Sequence, residues 1–360
     1  MKLGLFNLMS YRSNPGGVSG VIADTRAMVR LAEEIGFDIA WFAEHHFSNY
    51  SISVSPLMLA AHIAGQTRRI RVGAAVVVLP IYHPMRVAQE IALLDQMSDG
   101  RAVLGLGSGY QPYEFDRYNV DLTAKTEIFL EYWDVLESAL ADGRVAYRGK
   151  HISVPETVFL LRPKGNLLSE IYLTAKDPKV LARLAHLGPI PFTTAGWRGT
   201  AALYKLAEDF AASWRSAGLA HRPMPIAVQQ YIHVTDDKEQ ALQAAECARF
   251  VGRIAGHLRS TQPRLNGAFV DAPALPDEPP LSAIRDNLLI GDAHLVAERM
   301  VAEIRHLMPV HYSIFFQFGD MPLERAYRSM ERFGREVLPL VERELGPLET
   351  IGQSATMAAD

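Results

Sequence analysis

Cysteine is nearly absent from this chain of 360 residues. Cys247 stands alone, so no internal disulfide can form and a reducing compartment is expected. Charge of one sign is also lacking. Lys and Arg number 36 against 40 Asp and Glu, a net charge of −4, and the basic residues form no cluster or tail. The electrostatic footprint of a nucleic-acid binder is therefore missing. No uninterrupted apolar run reaches the ~18–20 residues that span a bilayer. The opening, "MKLGLFNLMSYRSNPGG", has a lone Lys and a short apolar stretch. It lacks a long apolar centre and a small-residue cleavage site, so no signal peptide is read there. These absences point to a soluble, cytoplasmic protein that meets neither nucleic acid nor membrane.

A hydrophobic share of 49% is enough for a sizeable core. Strand-like and helix-like segments alternate along the chain. "KLGLFN" (2–7), "DIAWFAE" (38–44), "IRVGAAVVVL" (70–79) and "RAVLGLGSG" (101–109) read as strands. Between them "DTRAMVRLAEEIG" (24–36), "SPLMLAAHIAGQT" (55–67) and "PMRVAQEIALLDQMSDG" (84–100) read as helices. Their caps are Asp24, Ser55 with Pro56 behind it, and terminal glycines. The second half continues with strands at "IYLTA", "IPFTTAG", "PIAVQQYIHVTD" and "HYSIFFQF", each followed by a helix. The last helix is expected over about Met321–Glu344. Eight β–α units over this length predict a (β/α)8 barrel with two insertions. One is a hairpin near 145–154. The other is a Pro-rich stretch near 256–284 without periodicity, which reads as a mobile lid or a disordered segment. A doubly wound sheet competes less well, because no G-x-G-x-x-G leads from the first strand into a helix. One domain over 1–346 and a frayed tail over 347–360 are expected.

The second strand ends in "WFAEHHF", one carboxylate and two imidazoles after an apolar run. Such groups are costly to bury without partners. The carboxyl ends of barrel strands carry active sites, so function is favoured over incidental contacts for Glu44 and His45. Alternation places Glu44 and His46 on one side and His45 on the other, so the three cannot converge on one metal. No H-x-H or H-E-x-x-H spacing supplies further ligands, and no metal is expected. The glycines of "GLGSGYQPYEF" (105–115) would let a flat ligand or a phosphate approach the backbone. Phe6, Tyr110 and Trp197 fit either an apolar pocket or plain core.

"WFAEHHF", "RVGAAVVVLPIYHPMRVAQEIALLDQMSDGR" and "YEFDRYNVD" together resemble the bacterial luciferase-like flavin monooxygenases. The resemblance implies a TIM-barrel subunit, often dimeric. It implies reduced FMN delivered by a separate flavin reductase, dioxygen, and a flavin hydroperoxide that oxygenates an aldehyde, ketone or similar small molecule. The family's catalytic imidazole maps onto His45, with Glu44 before it. A non-prolyl cis peptide beneath the flavin maps onto Ala75–Val76. A neutral-range proton carrier and a dry pocket suit that chemistry.

The chain departs from the family at the phosphate. Ser108 stands where the luciferase has Arg, and Gly107 where it has a reactive Cys. A Ser/Thr-rich helix start becomes "TAKDPKV", with Asp177 as the expected cap. A carboxylate there competes with a phosphate, and Lys176 or Lys179 would have to compensate. Tyr110 is expected to join this cofactor region. Two other readings stand beside the monooxygenase: a deazaflavin-dependent oxidoreductase on the same barrel, and a non-catalytic flavin-binding paralogous subunit.

Overall fold

Eight short segments are largely apolar and buried on both faces, which suits strands covered by helices. They are β1 (Lys2–Asn7), β2 (Ile39–Phe42), β3 (Arg71–Ala74), β4 (Ala102–Gly107), β5 (Ile171–Leu173), β6 (Ile190–Thr194), β7 (Ala227–Val234) and β8 (His311–Phe315). In the computed structural model, which describes residues 1–319 and 321–352, they pair in parallel in that order. β8 closes onto β1 through Lys2↔His311 and Gly4↔Ser313. The result is the closed eight-stranded parallel barrel that the β–α alternation predicts.

Twelve helices surround it among the described residues: α1 (Gly17–Ile35), α2 (Pro56–Ala64), α3 (Pro84–Met97), α4 (Pro112–Arg117), α5 (Lys125–Ala141), α6 (Pro178–Leu184), α7 (Gly199–Ser216), α8 (Lys238–His257), α9 (Leu281–Asn287), α10 (Ala293–Leu307), α11 (Leu323–Arg332) and α12 (Leu338–Leu345). The lower barrel interior holds an aromatic cluster. Trp41 meets Tyr172 with ring centroids 4.7 Å apart and donates from Nε1 to His311 Nε2 at 2.9 Å. Burial pushes the His311 imidazole down to about 3, so it sits there neutral.

Several boundaries differ from the sequence expectation. α1 starts at Gly17 and not at Asp24, because its glycine-rich first turn carries no propensity signal. The third strand is broken. β3 stops at Ala74, the Ala75–Val76 peptide is cis, and Val77–Val78 resumes pairing with Leu106 and Gly107. The final helix is interrupted by a π turn over Phe333–Val337 just before Pro339, which has no N–H to give the preceding turn.

The hairpin expected near 145–154 forms between Arg144–Arg148 and Ser153–Val158. The Pro-rich insertion is more structured than its composition suggests. Leu265–Asn266 and Phe269–Val270 make a two-stranded hairpin, and the insertion's end enters α9. The hairpin lies over the loop after β2. Asn49 N–H donates to the Ala268 carbonyl at 2.8 Å, and Val270 N–H donates to Asn49 Oδ1 at 2.9 Å. Tyr11, on the loop after β1, packs against Phe269. The tail expected to fray over 347–360 is tied down in its first residues. Leu348 and Ile351 are buried, and their carbonyls accept from the Met1 amine. Residues 353–360 of that expectation lie outside the described residues.

Candidate active site

β2 ends at Phe42, so Glu44, His45 and His46 stand above the barrel on its carboxyl side. The expected alternation holds. Glu44 and His46 turn together, with Glu44 Oε1 2.8 Å from His46 Nε2, and the Glu44 side chain is fully buried. Glu44 Oε2 accepts from the Val78 N–H at 3.0 Å. Burial raises its carboxyl above the ordinary range, while His46, Val78 and Tyr82 pull it back. The other His46 nitrogen, Nδ1, lies 2.9 Å from the Tyr118 hydroxyl. Both nitrogens of His46 are therefore committed, and Glu44–His46 acts as a brace on the segment after the cis peptide.

His45 turns the other way. Its Nδ1 lies 3.0 Å from Glu114 Oε1, and the same oxygen accepts the His46 backbone N–H at 2.8 Å. Glu114 comes from α4 and is almost wholly buried. A carboxylate at Nδ1 favours the tautomer protonated there and leaves Nε2 as the free nitrogen. The Tyr50 ring packs on the imidazole at 4.5 Å and the Tyr110 ring at 6.0 Å. The side-chain amide of Gln111 lies 3.2 Å from both His45 Nδ1 and the Tyr110 hydroxyl. Aromatic rings continue around the β7, β8 and β1 side. Tyr231 meets Phe315 at 5.0 Å, and Phe315 meets Phe6 at 5.4 Å. Trp197 is half-buried against the end of α8. A cavity of about 530 Å3 opens behind Phe6 and Phe315, lined also by Met9, Arg12, Asp24 and Met321. His45 is not in its wall.

The β3–β4 side is bare backbone. A Cβ on Gly105 would fall inside the Ala74 carbonyl oxygen. A Cβ on Gly107 would come 2.5 Å from Val76 Cγ2 and 2.7 Å from Thr174 Oγ1. Both glycines are thus required by the broken strand beside them. With Ala75 and Val76, both half-buried, they make a floor of small side chains, across the mouth from the aromatic wall.

At the expected phosphate corner, Asp177 caps α6. Its Oδ1 accepts from the Lys179 N–H at 2.9 Å, and its Oδ2 from Thr126 Oγ1 at 3.2 Å. Lys179 is exposed, and Lys176 reaches away to Asp209 on α7 at 3.9 Å. The cation at this corner is Lys125, half-buried, with Nζ 2.7 Å from the Gly109 carbonyl. Burial lowers its pKa while Asp177 opposes the shift. Sequence reading passed over Lys125, although a lysine opening a helix opposes the helix dipole and was a usable signal. Glu114 and Gln111 fall within "GLGSGYQPYEF", where no spacing marks their contacts with His45.

Known proteins resemble this chain in sequence and in fold to differing degrees. The family model described as luciferase-like monooxygenase matches residues 1–310. The chain is 32% identical to the protein y4vJ of Sinorhizobium fredii, over 97% of this chain and 100% of that protein. It is 25% identical to the oxygenase component of the flavin-dependent trigonelline monooxygenase of Acinetobacter baylyi, covering 94% of this chain and 95% of that one. Among solved structures, monooxygenase RslO1 from Streptomyces bottropensis superposes with a TM-score of 0.78 at 21% identity, over 94% of this chain and 99% of that chain. With a family model spanning most of its length, an eight-stranded barrel to match and His45 at the mouth, this chain belongs to the luciferase-like monooxygenase family.

Proposed function

We propose that this chain is the oxygenase of a two-component system. It would take reduced FMN from a separate reductase and, with dioxygen, oxygenate a small organic molecule. The observation that carries this reading is the pairing of a floor of small residues, Ala75, Val76, Gly105 and Gly107, with His45 at the same barrel mouth. The floor suits a flat ring system, because glycine and alanine let a planar ligand approach the backbone closely. Ser108, Thr174 and Lys125 would face the phosphate end, with Tyr110 beside them.

Bound reduced flavin supplies the electrons for dioxygen chemistry. His45 holds or moves a proton at Nε2 while Glu114 fixes Nδ1. Glu44, through the Val78 N–H, keeps the floor segment in register. The aromatic wall and the hairpin seated on Asn49 exclude water. We further propose a homodimer through α2 and α3, which expose Met58, Leu93 and Met97. Among the described residues, no helix is long and apolar enough to cross a membrane.

The test is anaerobic binding of three probes: reduced FMN, oxidised FMN and a reduced deazaflavin. The missing Arg and the capping Asp177 weaken phosphate capture, so oxidised FMN should bind weakly and the protein should purify colourless. Reduced FMN should bind at least ~10-fold more tightly than the other two, a difference of about 1.4 kcal/mol. Preference for the deazaflavin would replace this reading with hydride transfer.

A further inference from the structure

The arginines of α8 differ in their commitments. Arg249 pairs with Glu246 and Glu278, and Arg253 makes a two-pronged pair with Glu278. Arg259, exposed just beyond the end of α8, donates its backbone N–H to the Gly256 carbonyl, but its side chain has no ion pair or hydrogen bond among the described residues. Its guanidinium lies over the Tyr110 ring, 5.6 Å from the centroid. A cation at that distance is held by the ring's quadrupole, yet its N–H fork stays free. Tyr110 itself is 6.0 Å from His45 and accepts from the Gln111 side chain, with the Tyr50 hydroxyl also bonded to it. Arg259 therefore reaches from α8 across the mouth to the end of β4. By its 5.6 Å and 6.0 Å ring contacts, its guanidinium stands no more than about 12 Å from the imidazole. The span is paved by rings, which favours a planar ligand body. The hairpin on Asn49 lies at the same mouth, and exclusion of water there would strengthen any charge pairing.

We infer that Arg259 anchors the carboxylate of an aryl or similarly planar anionic substrate, whose ring packs on Tyr110 and Tyr50 and whose reacting carbon points to His45. The inference rests on the proposed oxygenase function and names its substrate class. Arg12 is the contrasting case. It is also without an ion pair among the described residues and lies over Phe250 at 4.7 Å, but it faces the cavity behind Phe6 and not the His45 ring.

The test uses protein saturated anaerobically with reduced FMN. Equilibrium dialysis measures benzoate and 4-hydroxybenzoate against their methyl esters, for the parent, Arg259→Gln and Arg12→Gln. The parent should prefer the acids. Arg259→Gln should lose ~10- to 100-fold in acid affinity, the usual worth of a hydrogen-bonded charge pair, and leave the esters unchanged. Arg12→Gln should behave as the parent. Equal binding of acids and esters by the parent overturns the inference, as does a larger loss in Arg12→Gln. A second arm compares reduced FMN with reduced riboflavin. If Arg259→Gln weakens FMN alone, the arginine serves the flavin phosphate and the inference fails. Failure of the parent to bind either reduced flavin, with aryl acids still bound through Arg259, would sink the oxygenase reading and leave the anion site standing.

Discussion

Adding a single methyl group to the floor tests whether bare backbone is needed there. Gly105 lies opposite the gap in the third strand, between the Gly73↔Val103 and Val77↔Leu106 pairings. In Gly105→Ala the new Cβ would overlap the Ala74 carbonyl oxygen, which is backbone and cannot rotate aside. β3 or the Ala75–Val76 segment must move by roughly 1 Å to relieve it, a large fraction of the slack in strands spaced ~4.8 Å apart. Overpacking of this kind costs about 1–3 kcal/mol, and the upper end is expected because backbone must yield. Gly107→Ala is milder. Its contacts at 2.5 Å and 2.7 Å are with the Val76 and Thr174 side chains, which can turn. About 1 kcal/mol is expected there. Urea unfolding gives the stability change, and anaerobic titration gives reduced-FMN affinity. Gly105→Ala should lose ~10-fold or more in affinity and Gly107→Ala less, following their order in stability. Wild-type FMN affinity in a folded Gly105→Ala protein would refute the argument that the ring lies on this floor.

Glu114→Ala strands the buried His46 N–H and should cost about 1–3 kcal/mol, whereas Glu114→Gln should stay within ~1 kcal/mol of the parent. Both should lower turnover, Ala by ~10- to 100-fold, and nitrogen NMR should show His45 losing its single tautomer. Glu170 is a pH reporter: burial works against its ionised form, but Arg71 and hydrogen bonds from Arg71, Lys2 and Tyr172 hold it at about 2. Its folded pKa is depressed, so its stabilisation is complete above the ordinary 4.5 and fades as pH falls toward 2. Glu170→Gln should therefore destabilise by about 3 kcal/mol at pH 7, with the gap closing over that window in denaturant titrations. Light scattering should give a dimeric mass, and Met58→Asp combined with Met97→Asp should halve it.

The barrel was legible because eight doubly apolar strands alternate with capped helices, and that pattern excludes most other folds. The Glu44–His46 cluster stood out because charged groups at a strand end are costly to bury without partners, and the structure supplies those partners in Val78, Tyr118 and Glu114. Glu114 did not stand out, since its role depends on α4 folding back by a turn that no periodicity marks. The contacts at the expected phosphate corner were not legible for a related reason. Lys176 and Lys179 are near Asp177 in sequence, but one pairs with α7 and the other faces solvent, while Lys125 arrives from a different helix. The Pro-rich insertion hid its hairpin because two-residue strands leave no alternation to read. α1 hid its first turn because glycine weakens a helix signal without forbidding the helix.

On the proposed function, this chain receives reduced FMN and directs its reaction with dioxygen. Rapid mixing of the anaerobic protein–reduced FMN complex with oxygenated buffer tests it most directly. The expected result is a protein-dependent flavin absorbance, distinct from oxidised FMN, that outlasts the oxidation of free flavin and is shortened or lost in His45→Ala. Oxidation at the free-flavin rate, with hydrogen peroxide released at once and no difference between the parent and His45→Ala, would contradict it.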